Sequence, residues 1–176
     1  MRALVVYESM FGNTETIARA VAAGVGERYD VTVAEVGSAP RSVPEGTDLL
    51  VVGGPTHAFG LSRPGTRANA AEQLGERRPV SRGSGLREWL AEVPPAAGLP
   101  AATFDTHIDK RFPGSAAKAA RRRLTRRGYD VVAAESFHVC GTPGPLVDGE
   151  EARARAWGAR LASRASVAHG EPDPAG

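Results

Sequence analysis

The stretch DLLVVGG, Asp48–Gly54, sets the tightest limit on how this chain folds. Leu49, Leu50, Val51 and Val52 are apolar in succession, so neither face of that strand is left for water. A strand covered on both faces belongs inside a parallel sheet. Parallel neighbours need crossover connections, usually helices. The remaining sequence supplies them in order. ALVVY, Ala3–Tyr7, is a short apolar run. Ile17, Val21 and Val25 recur every fourth residue, so residues 13–27 read as an amphipathic helix. Asp30–Val36 alternates like a strand with one exposed face. GSAPRSVPEGT shows no convincing helical pattern, so a helix between the second and third strands is short or absent.

Beyond the third strand, Gly85–Val93 reads as a short helix stopped by Pro94 and Pro95, and Leu99–Asp105 as the fourth strand. Gly114–Gly128 reads as a helix with Ser115 as N-cap and Gly128 as its stop. Tyr129–Val139 is the fifth strand and Asp148–Ser163 the last helix. This predicts an α/β fold: a three-layer α-β-α sandwich on a five-stranded parallel sheet in the order 2-1-3-4-5. The length of 176 residues suits one domain, taken as residues 1–166, with residues 167–176 as a disordered tail. Arg67–Gly85 is long for a connection, and its second half is rich in glycine, arginine and serine. It reads as a mobile lid or an unstructured insertion.

In the order 2-1-3-4-5 a ligand sits beyond the carboxyl ends of the first and third strands, where the winding reverses. The loops there are ESMFGNTE and GGPTHAFGLSRPGT, both rich in glycine and hydroxyls. The loop after the fourth strand, DTHIDKRFPGS, adds aspartates, a histidine and two bases. At the mouth of the first helix, Ser9, Gly12 and Thr14 combine free backbone amides, a positive helix end and hydroxyl donors, which suits an anion such as a phosphate monoester. The Gly-Lys-Ser/Thr of a nucleoside-triphosphate loop is absent. So is the three-glycine dinucleotide fingerprint. The alternative for this stretch is a plain helix cap at Asn13 or Thr14. No histidines and carboxylates have metal-ligand spacing. A phospho-acceptor pocket around Asp105 and Asp109 fails because the third strand, VVGGPTH, ends without an acceptor aspartate.

SMFGNTE, Ser9–Glu15, resembles the phosphate loop of flavodoxins and flavodoxin-like proteins, with Ser9, Gly12 and Thr14 in the matching places. GGPTHAFGLSRP, Gly53–Pro64, resembles their second flavin loop, and FDTHIDKRFPGSAAK, Phe104–Lys118, their third. CGTPGPLVDGE, Cys140–Glu150, is similar to the turn before the last helix in a bacterial and archaeal branch. The resemblance covers about residues 2–165. It implies a non-covalent FMN site. Ser9, Met10, Phe11, Gly12, Asn13 and Thr14 would hold the phosphate. Pro55, Thr56, His57, Ala58, Phe59 and Gly60, with Asp105, Thr106, His107, Lys110 and Arg111, would bracket the ring system.

The sequence also departs from the family. Phe11 stands where a threonine is frequent. His57 takes a common tryptophan position, which leaves Phe59 as the candidate for stacking. The third loop has His107 and Phe112 but no tyrosine. Ala58 follows His57 where electron carriers often place a glycine, which leaves Gly60 for that role or favours two-electron chemistry. Arg63, Arg67, Arg77, Arg78 and Arg82, with Lys110 and Arg111, make the loops basic rather than acidic. Positive charge there would stabilise an anionic reduced flavin; the alternative is that these arginines point to solvent.

Composition narrows the setting. There is no long apolar run, hence no membrane span. MRALVVYES is too short in its apolar part for a secretory signal. One cysteine, Cys140, suits a reducing cytoplasm and reads as a small core residue. Twenty arginines face two lysines. KAARRRLTRR, Lys118–Arg127, reads as a solvated helix face, with docking of an acidic partner as the alternative. Nucleic acid is excluded as a partner because no stacking platform accompanies the basic run. The leading reading is a bacterial, cytoplasmic FMN-binding electron-transfer protein that serves a redox partner protein or a small-molecule electron acceptor. The alternatives are an FMN-dependent NAD(P)H:quinone-type reductase and a binding module that has lost firm FMN affinity.

Overall fold

The computed structural model describes residues 1–109 and 114–168. The elements run β1 (Arg2–Tyr7), α1 (Asn13–Val25), β2 (Asp30–Glu35), β3 (Leu49–Pro55), α2 (Pro64–Gln73), α3 (Leu86–Glu92), β4 (Pro100–Ile108), α4 (Ala116–Arg126), β5 (Asp130–Val139) and α5 (Glu150–Ala168). The strands form one parallel sheet ordered β2-β1-β3-β4-β5, as the sequence predicts. No helix separates β2 from β3.

Each central strand divides its residues between two cores because successive side chains point to opposite faces. Ala3, Val5 and Tyr7 of β1, with Leu49 and Val51 of β3, pack beneath α1 and α5. Leu4, Val6, Leu50 and Val52 pack beneath α3 and α4. On the first face Phe104, Phe137 and Trp157 meet edge to face, with ring centroids 6.0–6.3 Å apart. On the same side α1 and α5 touch backbone to backbone. A Cβ at Gly24 would land on the carbonyl oxygen of Arg155, and one at Gly158 on that of Val21.

The first glycine of DLLVVGG has a steric cause. The Phe104 ring of β4 lies flat against Gly53, and a Cβ there would come within 2.1–2.3 Å of three ring carbons. Close packing of β3 on the aromatic cluster therefore requires glycine at this position.

Several expectations need correction. The connection read as a mobile lid or unstructured insertion holds α2 in its first half, and hydrogen bonds tie down its second half. The helix escapes a hydrophobic-period reading because it buries only Ala70. Pro64 at its first turn was the available signal. β4 runs three residues past the expected end, so Thr106 and His107 sit on the sheet rather than in a loop. Cys140 is exposed, not in the core, because edge strand β5 ends at Val139 and the chain turns away there. Elsewhere, the first helix ends at Val25 and the last extends from Glu150 to Ala168. Ser115 does cap α4, accepting the Lys118 amide at 3.0 Å. The solvated face of α4 is also present, since Lys118, Arg121, Arg122 and Arg126 are exposed. Among the described residues no helix is long and apolar enough to cross a membrane, and no group of three ligating side chains could hold a metal ion. His169 and residues 169–176 of the expected tail lie outside the described residues.

Gly53→Ala should destabilise the fold by about 1–3 kcal/mol through overpacking against Phe104. Chemical denaturation would check this, and an unchanged midpoint would contradict the close contact.

Candidate functional site

The carboxyl ends of β1, β3 and β4 open onto one cleft of about 450 Å³. Ser9, Met10, Phe11, Asn13 and Thr14 line it from the β1–α1 loop. Pro55, Thr56, His57, Ala58 and Phe59 line it after β3, and Thr106 and His107 at the end of β4. Three nominated residues do not line it: Gly12, Gly60 and Asp105. Lys110 and Arg111, and with them Phe112, lie outside the described residues. Thr66, Asn69, Ala70 and Gln73 of α2 complete the wall, with Ile108, Val139 and Thr142. These escaped the sequence reading because the α2 residues form a mainly polar face that no hydrophobic period marks.

The N-terminus of α1 opens on the cleft with Ser9, Asn13 and Thr14 in its lining. Gly12 adopts φ 94°, a left-handed conformation that favours glycine, and the space where its Cβ would stand is open. Its amide donates to Ser9 Oγ at 3.1 Å. No side chain caps the helix. Asn13 Nδ2 donates instead to Pro143 O at 3.1 Å, and Thr14 Oγ1 pairs with Thr106 Oγ1 at 2.7 Å. Among the described residues, the amides of Asn13, Thr14 and Glu15 have no acceptor. Uncapped amides at a helix start attract anions.

The N-terminus of α4 makes the contrast. Its first three amides are all taken: Ala116 N by Thr56 Oγ1 at 2.9 Å, Ala117 N by Asp105 Oδ2 at 2.9 Å and Lys118 N by Ser115 Oγ. Of these two helix starts only α1 keeps donors free.

Asp105 is fully buried and points into the protein, away from the cleft. The sequence reading misplaced it because β4 is longer than its apolar run. Its Oδ2 accepts Thr56 Oγ1 at 3.0 Å, Ser115 Oγ at 2.6 Å and the Ala117 amide. Its Oδ1 meets His107 Nδ1 at 3.2 Å. Burial pushes the Asp105 carboxyl up, but the hydrogen bonds from His107, Ser115, Ala117 and Ser136 outweigh it and hold the pKa below its ordinary value. The ionised carboxylate only accepts, so the hydrogen on His107 sits on Nδ1. The His107 ring also meets His138 edge to face, with centroids 5.2 Å apart.

After β3 the chain reverses in a two-residue turn closed by His57 N–Gly60 O at 2.8 Å and Gly60 N–His57 O at 3.0 Å. Both central residues are left-handed, Ala58 at φ 42° and Phe59 at φ 73°. Glycine or asparagine usually holds such positions. Phe59 is 76 % exposed, an aromatic face presented beside the cleft. Burial lowers the His57 pKa more than the Glu8 carboxylate raises it, so His57 is neutral at neutral pH. Glu8 is itself buried, and its Oε2 accepts the Leu86 amide at 2.7 Å.

Ala58→Gly should stabilise the protein by about 1 kcal/mol, because the left-handed conformation no longer opposes a Cβ; thermal denaturation would check it, and a loss of stability would contradict the strain. Asp105→Asn should cost about 1.5–3 kcal/mol at pH 7 by weakening charge-assisted hydrogen bonds. Because folding lowers this pKa, the stabilisation is present above the unfolded value and is lost as pH falls through the folded value. The gap between wild type and variant should therefore narrow in acid. A gap that stays constant with pH would mean the carboxylate charge is not what stabilises.

The flavodoxin family profile matches residues 5–157. No curated protein sequence resembles the chain closely enough to count as a relative. Among solved structures, oxidised flavodoxin 1 from Bacillus cereus is similar with a TM-score of 0.66 at 19 % identity, over 93 % of this chain and 98 % of that one. A flavodoxin from the domain Archaea gives 0.63 at 19 % identity, covering 94 % and 99 %. A WrbA-like flavodoxin from Agrobacterium tumefaciens gives 0.56 at 18 % identity, covering 94 % and 98 %. At these identities the solved structures attest the fold, and the profile match attests the family. The chain belongs to the flavodoxin family, whose cofactor is FMN.

Proposed function

We propose that this protein binds FMN in the cleft and passes electrons through it to a redox partner protein or a small-molecule acceptor. The observation that carries this reading is the uncapped start of α1, whose free amides open into a cleft of about 450 Å³. The cleft suits a molecule with an anion at one end and a planar apolar body at the other. The anion end has amide donors and hydroxyls. Phe59, Ile108 and Val139 add apolar lining.

In this reading the amides of Asn13, Thr14 and Glu15, with the Ser9 hydroxyl, hold the phosphate, while Gly12 shapes the loop. Pro55–Phe59, Thr106 and His107 flank the ring system. Bound FMN supplies the redox chemistry, and the protein sets its orientation and its exposure to water. His57, neutral and half-buried, is a hydrogen-bonding wall at neutral pH. His107, held through Nδ1, presents its other ring nitrogen in a fixed orientation. The lone exposed thiol of Cys140 suits a reducing compartment such as the cytoplasm.

A second reading is an FMN-dependent NAD(P)H:quinone-type reductase. It is favoured by the turn after β3, where Ala58 and Phe59 stand in left-handed positions without glycine. A turn already committed to that geometry has less freedom to adjust with redox state.

Incubation with FMN, desalting and a visible spectrum test the shared premise. A flavin band near equal stoichiometry is expected, and a colourless protein would refute FMN binding. Addition of NAD(P)H then separates the readings: a carrier stays yellow, whereas a reductase is bleached at once and turns over a quinone. Gly12→Val should abolish FMN binding with helix content unchanged; unchanged affinity would refute the phosphate assignment. Phe59→Ala should weaken FMN by up to about tenfold, the scale of one lost aromatic partner.

A further inference from the structure

The segment between β3 and α3 contributes little to either core, yet it is firmly held. Within α2 only Ala70 is buried. Arg67 Nη1 reaches Ser62 Oγ at 2.9 Å and Glu88 Oε2 at 3.1 Å. Arg87 binds the Ser62 carbonyl at 2.7 Å and that of Leu61 at 2.6 Å. These contacts fix the helix against α3. Its residues Thr66, Asn69, Ala70 and Gln73 have the spacing of one helix face. All four line the same cleft as Ser9, Met10 and Phe11. A short helix that turns hydroxyl and carboxamide groups into a cleft, rather than apolar groups into a core, is placed there to bind.

Beyond α2 the chain returns along the loop before α1. Ser9 N donates to Ser81 Oγ at 2.9 Å, Ser81 N donates to Ser9 O at 2.8 Å, and Val80 N donates to Met10 O at 3.3 Å. Ser81 is 3 % exposed and Ser9 fully buried. The two backbone groups of Ser9 are therefore set by a residue far along the chain. Ser81 does not touch the cleft; it positions the loop that does.

We propose that residues 64–85 form a fourth element of the cofactor site. Asn69 and Gln73 hydrogen-bond the hydroxylated chain that joins the phosphate of FMN to its ring, and Ser81 holds the β1–α1 loop in its phosphate-binding shape. This rests on the FMN reading above. The chemistry favours that part of the ligand. Carboxamides both donate and accept, as a polyol requires, and carry no charge to repel a neighbouring phosphate. They share the cleft with the loop that holds the free amides of α1. Together these contacts offset affinity that is lost where His57 replaces an aromatic ring.

The test is a fluorescence titration of the apo full-length protein with FMN and with riboflavin, which lacks the phosphate. Circular dichroism verifies that each variant is folded. The double variant Asn69→Ala/Gln73→Ala should weaken both flavins about tenfold, the loss of two neutral hydrogen bonds. Ser81→Ala should weaken FMN about threefold or more and leave riboflavin unchanged, lowering the FMN-to-riboflavin affinity ratio. General destabilisation would weaken both ligands alike and leave that ratio in place, which would overturn the role of Ser81. Folded variants that bind both flavins like wild type would overturn the proposal. So would an unchanged FMN affinity with a raised KM for an electron acceptor, which would assign α2 to the second reactant. Wild type that binds neither flavin would instead refute the FMN reading beneath it.

Discussion

The buried carboxylate of Asp105 is the contact on which the geometry of the cleft depends. Four of its hydrogen-bond partners come from the end of β3, the end of β4 and the start of α4. A carboxylate taken out of water is costly unless its lone pairs are filled. That requirement draws Thr56, His107, Ser115 and the Ala117 amide to one point. Thr56 then caps α4 through Ala116 N, and Thr106, the next residue along β4, reaches Thr14 at the start of α1. Three loops distant in sequence are thus joined through one buried charge.

That arrangement also decides where the fold can accept an anion. Asp105, Thr56 and Ser115 consume the amides of α4, so its positive end is spent inside the protein. At α1 a left-handed glycine stands where a capping side chain would, and the amides stay free. The same physics, a helix start in need of acceptors, gives an internal joint at one helix and free donors at the other. The insertion carrying α2 adds a wall and, through Ser81, a clamp on the open site. The charged contacts around Arg67 hold that wall without a sizeable apolar core of its own.

Much of this was legible in the sequence. The strands stand out because continuous apolar runs have few other uses in a chain of this size, and β3 most clearly of all. The loops after β1 and β3 could be placed at the cleft because switch-point geometry and local composition agree. What escaped was polar or compensated. The face that α2 turns to the cleft carries a hydroxyl and carboxamides, so it leaves no hydrophobic period. Asp105 reads as a ligand-facing residue because an aspartate at the end of an apolar run normally marks the edge of the core; only the neighbours that fill its lone pairs reveal it as internal. Cys140 misled in the opposite sense, since a small apolar-like residue after a strand reads as core until the chain is found to turn outward after Val139.

A crystal structure of the FMN complex tests the central claim most directly, namely that a cleft already formed by the Asp105 joint receives the phosphate at the start of α1. The account predicts phosphate oxygens within hydrogen-bond distance of the amides of Asn13, Thr14 and Glu15, with the contacts of Asp105 unchanged. Phosphate bound elsewhere, or an Asp105 side chain released to meet the ligand, would contradict it.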